Sequence, residues 1–149
     1  MALREWADQH RDDLVAETPN RSAVGDLLAV ADRELRDAET VASADGQLGH
    51  AHNACLALSA AALAAAGYRV RRGTPAHHWR LVESLAYTLG LTAAEVKELQ
   101  DYRRKRSRSV YERAGIVTRT EAQAALAAAG RLRARFPVWL AAEHPDLAG

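Results

Sequence analysis

The chain is predicted to be all-α: an antiparallel bundle of about five helices with an extra short helix at the N-terminus. Three observations predict it. Apolar residues recur at three- and four-residue steps through most of the 149 residues. Glycine and proline fall at the breaks between these stretches. The marks of strands are scarce, with few β-branched runs, no Asn-Gly turns and only 5% aromatic residues.

A first helix is expected from Leu3 to Ala16, ending before Thr18-Pro19-Asn20. It carries Trp6, His10 and Leu14 but little else that is apolar, so residues 1–18 are expected to be a helical appendage to a bundle domain at 20–145. The second helix is expected from Ser22 to Ala42, with Val24, Leu28, Ala31, Leu35 and Ala38 facing inward. The third begins at Asp45 or Gly46 and is built on Leu48, Ala51, Cys55, Leu58 and Ala62. Gly67 stops it, with Tyr68 placed for the apolar contact of a Schellman-type end. The segment YRVRRGTP then reads as a linker. Thr74-Pro75 opens the fourth helix, since proline is tolerated in a first turn. Its inner stripe is His78, Leu81, Val82, Leu85 and Leu89, and Gly90 ends it. The fifth runs from Thr92 to about Glu112 and opens on a capping box, Thr92 with Glu95. After a turn at Gly115-Ile116-Val117, Thr120 is expected to cap the last helix and Pro137 to kink or end it. Alanine on inner faces implies close packing, and short connections imply antiparallel neighbours.

A formal net charge of +1 excludes a polycation that coats nucleic acid, so any phosphate affinity must come from local clustering. A single cysteine, Cys55, rules out an intramolecular disulfide and fits a reducing compartment. It lies in an Ala/Leu run and reads as a small buried hydrophobe. The charged start MALREWADQHRDD lacks the apolar segment of a signal peptide, and the run from Ala54 to Gly67 is too short and alanine-rich to span a bilayer. A soluble, cytoplasmic protein with no membrane attachment is expected.

Metal ligation is not expected. His50 and His52 are two apart, on different sides of a helix, and His77 and His78 are adjacent. No cofactor is called for, since no glycine-rich phosphate loop is present, and no nucleophile elbow supports a hydrolase. His78 falls on an inner stripe and reads first as a hydrogen-bonded core histidine.

The informative segment is YRRKRSRSVYE, Tyr102 to Glu112. The window 102–113 holds six of the twenty Lys and Arg residues. Acidic residues early and basic residues late in a helix suit the helix dipole, and a solvated basic face accounts for Arg104, Lys105 and Arg108. It does not account for Arg103 and Arg106. Steps of three and four from Val96 and Leu99 pass through those two and regain an apolar residue at Val110. Cations on an inner stripe need a partner or water, so Arg103 and Arg106 are expected to line a cleft or an interface between helices.

With the helices placed, Ser22 to Leu140 resembles the HEPN family of small all-helical domains. Three segments carry the resemblance: HAHNACLALSAAALAAAGYRV, PAHHWRLVESLAYTLGL and LQDYRRKRSRSVYE. The last is similar to the family signature, an arginine, a polar residue and, a few positions on, a histidine or tyrosine. In ribonuclease members the signature arginine and histidine meet their counterparts across a homodimer and cleave RNA. Two registers fit this chain. Arg106 through Val110 with Tyr111 in the histidine position is favoured by the inward phase of Arg106; Arg104 through Ser109 and Tyr111 puts Ser109 there instead. Either departs from the catalytic pattern, because a phenol with pKa near ~10 is a poor base at neutral pH.

The resemblance implies a homodimer that binds RNA or nucleotide in an arginine-rich cleft, as part of a toxin–antitoxin or defence pair. It also implies a minimal nucleotidyltransferase as partner protein. Arg106 and Tyr111 take the catalytic positions, with weak or no ribonuclease activity expected. Arg103, Arg104, Arg108, Ser107, Ser109 and His78 are the candidates for contacting RNA or phosphate. Two rival readings stand beside this one: an interaction module whose arginines make salt bridges between subunits, and an active metal-independent ribonuclease.

Overall fold

The computed structural model describes residues 1–148. It is an all-α bundle of six helices with a small antiparallel ribbon: α1 Leu3–Gln9, β1 Leu14–Ala16, α2 Arg21–Thr40, α3 Ala44–Ala66, β2 Tyr68–Val70, α4 His77–Ser84, α5 Ala93–Tyr111 and α6 Arg119–Glu143. α3 is the central element and packs against α2, α4, α5 and α6. Its alanine faces permit that: Ala51, Ala54, Ala61, Ala62 and Ala65 are buried, and Leu48, Leu58 and Leu63 fill the spaces between them. The side chain of Ser43 accepts from the Gly46 N–H at its start. Gly67 ends it in the left-handed conformation, φ 96°, as the sequence predicts.

The N-terminal expectation is corrected. The first helix stops at Gln9, and Leu14–Ala16 is a strand paired with Tyr68–Val70, part of the segment read as a linker. Three residues are too few for strand periodicity to show, and the pairing is held from outside the strands. Arg71 donates from its backbone N–H to the Asp13 carbonyl (2.6 Å) and from Nε to the Asp12 carbonyl (3.1 Å). Trp6 is 1% exposed and belongs to a second apolar cluster with Leu14, Leu63, Val70 and Leu81. Its ring stacks on Tyr87 at 5.2 Å, and its Nε1 donates to Glu83 Oε1 at 2.6 Å.

Two further boundaries differ, and a third is decided between its alternatives. α4 is confined to His77–Ser84, and Leu85 and Leu89 reach the core from the turns that follow it. The last helix is capped by Thr118, not Thr120: Thr118 and Glu121 form the second capping box of the chain. Pro137 lies inside α6 and does not end it, because Phe136 and Leu140 on either side are both anchored in the core. The box at Thr92 and Glu95 opens α5 as expected. No helix among the described residues is long and apolar enough to cross a membrane.

Candidate functional site

The basic end of α5 divides into two sets. Arg104 donates to Asp101, Arg108 Nε lies 3.3 Å from Glu112 Oε2, and Lys105 Nζ reaches Glu121 of α6 at 3.3 Å. These cations are neutralised locally or across to the next helix. Arg103 and Arg106 form no ion pair among the described residues. Both are half-buried, as the helical phase predicts, but so is Lys105, which the same phase turns toward solvent and which packs instead toward Glu121 of α6. Arg103 donates from Nε to Gln100 Oε1 at 2.9 Å and lays its guanidinium 5.3 Å from the centre of the Trp79 ring. Gln100 is itself fixed, its amide donating to the Trp79 carbonyl at 3.1 Å. The Nε–H of Arg106 is buried with no hydrogen-bond partner among the described residues.

Around these two guanidinium groups stand histidines from two other helices. His52 of α3 is 3% exposed, and its Nε2 is also buried without a partner. Its ring centre lies 5.8 Å from that of His78 on α4, which lies 5.9 Å from that of His77. Burial, reinforced by the charges of Arg106, His78 and Arg103, pushes the His52 pKa down to about 3. His78 is shifted down as well, by the shielded part of its ring and then by His77, Arg106 and Arg103. The cluster thus holds two cations and two imidazoles kept neutral at pH 7.

Arg106 also borders a groove between the start of α3 and the end of α5, lined with Asp45, Gly49, His50, Asn53 and Ser109. Asp45 Oδ2 accepts the Gly115 N–H at 2.7 Å and so ties the turn after α5 to the start of α3. On the α2 side Glu34 accepts from Arg33 on Oε1 (3.3 Å), and its Oε2 lies 2.6 Å from His50 Nδ1. Burial would raise the Glu34 pKa, but the hydrogen bonds from His50 and Arg33 more than offset this and hold it low. Asp37 lies near the pair. Each Glu34 oxygen thus already has a nitrogen partner within hydrogen-bonding distance.

The remaining candidates scatter. Ser109 Oγ donates to the Arg106 carbonyl at 2.9 Å, and Ser107 is exposed. Tyr111 is 80% exposed, and Val110, expected to resume the inner stripe, is 56% exposed. The stripe therefore leaves the core after Arg106. His78 is exposed rather than part of the core, so its expected inward phase is corrected: α4 begins only at His77, and its first turn lies at the surface. Sequence reasoning missed His52 and Trp79. His52 carried a signal, since it lies seven residues before Ser59 and three before Cys55 on a buried helix face. Cys55 itself is buried, and burial, with the nearby Glu98 charge, pushes its thiol up to about 12.

Compared with protein-family models, curated proteins and solved structures, the chain matches none of them.

Proposed function

We propose that the arginine–histidine cluster binds RNA or nucleotide in a HEPN-like helical protein, with weak or no ribonuclease activity. One observation carries this reading. On a helix end where Arg104, Lys105 and Arg108 each have a carboxylate, the two half-buried arginines have none among the described residues. An unpaired guanidinium partly withdrawn from water favours an anion, and its planar fork suits phosphate. Trp79, 38% exposed beside Arg103, offers a face on which a base can stack. The resemblance to HEPN sequences points to the same class of ligand. Weak turnover follows from the absence of a histidine on α5, with Tyr111 standing out in solvent instead.

The test is fluorescence anisotropy with a labelled single-stranded RNA. The double variant Arg103→Ala/Arg106→Ala is expected to lose at least about tenfold in affinity and to flatten the salt dependence by about two units of slope. Arg104→Ala/Arg108→Ala removes the same charge and is expected to change affinity much less. Equal losses would mean that bulk charge alone is at work.

A second reading has its own observation. Val110 and Tyr111 are exposed apolar side chains at the end of α5, next to the groove bordered by Arg106. That end suits a second copy of the chain, in keeping with the homodimer and the toxin–antitoxin or defence pairing that the resemblance implies. A minimal nucleotidyltransferase partner rests on the resemblance alone.

A further inference from the structure

We propose that the ligand of this cluster is a terminal phosphate, the monoester group of an RNA end or a mononucleotide, bound with uptake of a proton by the His52–His78 pair. The inference rests on the anion-binding reading above and adds the chemistry of the anion.

The argument is one of charge and donors. An internal phosphodiester carries one negative charge, which Arg103 and Arg106 together already exceed. A monoester carries roughly −1.5 to −2 at neutral pH and offers three free oxygens. The groups that face the two rings are His52 from α3, His77 and His78 from α4, and Arg103 and Arg106 from α5. Among the described residues no carboxylate is among the charges felt at either ring. Every neighbour that carries charge is a cation, and mutual repulsion helps to hold the imidazoles neutral. An arriving dianion reverses that balance. It offsets the guanidinium charges, favours the imidazolium form and gains a further N–H donor from it. Of the three buried side-chain atoms without partners among the described residues, Arg106 Nε and His52 Nε2 mark where hydrogen-bonding capacity stands unused beside the site. The third, Asp45 Oδ1, belongs to the groove on the other side of Arg106.

Proton uptake fixes the sign of the pH dependence. The free histidines have depressed pKa values and the bound ones higher values, so affinity for the monoester rises as pH falls from 8 to 6.5. Below that range the phosphate itself begins to protonate, with its second pKa near ~6.

Isothermal titration calorimetry on the full chain tests this, in two buffers of different ionisation heat, at pH 6.5 and 8. The ligands are a short single-stranded RNA with a 5′-phosphate, the same RNA with a 5′-hydroxyl, and adenosine monophosphate with adenosine as its control. The phosphorylated RNA is expected to bind about tenfold tighter than the hydroxyl form at pH 6.5, with a smaller advantage at pH 8. Adenosine monophosphate, but not adenosine, is expected to compete. His78→Gln, at an exposed position that leaves the core intact, is expected to lose proton uptake, most of the pH dependence and most of the 5′-phosphate advantage at pH 6.5. Equal affinity for the two RNA ends at both pH values, or unchanged proton uptake in His78→Gln, overturns the inference. Failure of either RNA to bind, or binding indifferent to Arg103→Ala/Arg106→Ala, would instead remove the anion-binding reading beneath it.

Discussion

His52 shows how one buried side chain sets a condition on the whole molecule. Its folded pKa of about 3 lies below the ordinary value of 6.5. Between those values the unfolded chain binds the extra proton and the folded chain does not, so His52 subtracts stability progressively as pH falls through that window. Relative to His52→Leu, the wild-type protein is expected to lose about 3 kcal/mol between pH 7 and pH 4, read as a widening gap in urea midpoints. A constant gap would show that the ring is hydrated in solution. Cys55 tests burial from another direction. With its thiol pushed up to about 12 on a fully buried face, it is expected to resist a thiol-specific reagent at pH 8 in the native protein and to react at once in denaturant. Gly46 is required for space: a Cβ there would lie 2.8 Å from Val41 Cγ2 and 2.9 Å from Ser43 Oγ. The valine is stiff at χ1 and the serine oxygen is held as the cap of α3. Gly46→Ala is therefore expected to lower the melting temperature even though alanine is the better helix former.

Helices were legible in the sequence to the extent that their ends carry chemistry. The box at Thr92 and Glu95, and the glycine after Ala66, placed the start of α5 and the end of α3 correctly because caps and left-handed glycines are local devices. Thr118 and Thr120 both precede the apolar run of α6, and only the partner of Thr118, Glu121, separates them. Thr118→Ala is expected to cost about 1 kcal/mol in chemical denaturation and Thr120→Ala far less. Of the two outcomes expected at Pro137, an end to the helix does not occur: a proline's local cost is visible in sequence while the tertiary anchors on either side, Phe136 and Leu140, are not. The candidate site shows the same division. The inward phase of Arg103 and Arg106 followed from periodicity on a single helix. Their company did not, since His52 and His78 come from α3 and α4 and only packing brings their rings to 5.8 Å.

At the scale of the molecule, two apolar clusters divide the work. One runs along α2, α3, α5 and α6, and the other lies beneath α1 and the ribbon and is closed by Trp6. Trp6→Ala removes a side chain that is 1% exposed, together with its bond to Glu83. A loss of about 3–5 kcal/mol in urea unfolding is expected. A loss below about 1 kcal/mol would mean that residues 1–18 contribute little to the stability of the bundle.

The ribbon also sets an order of events during synthesis. Leu14–Ala16 leaves the ribosome before either helix of the α2–α3 pair, yet its partner Tyr68–Val70 is made only after both. Until then the short strand has nothing to bond to, while α2 and α3 can already pack on each other within the nascent chain. The short strand is thus made before the helices that follow it and is seated after them. Non-local pairing of this kind closes late, after the local helical contacts have reduced the entropy of the intervening chain. A nascent chain whose emerged part ends before Tyr68 would present Trp6 and Leu14 to any chaperone or protease waiting at the exit tunnel, and Trp6 would stay open until Leu81, Glu83 and Tyr87 had emerged as well.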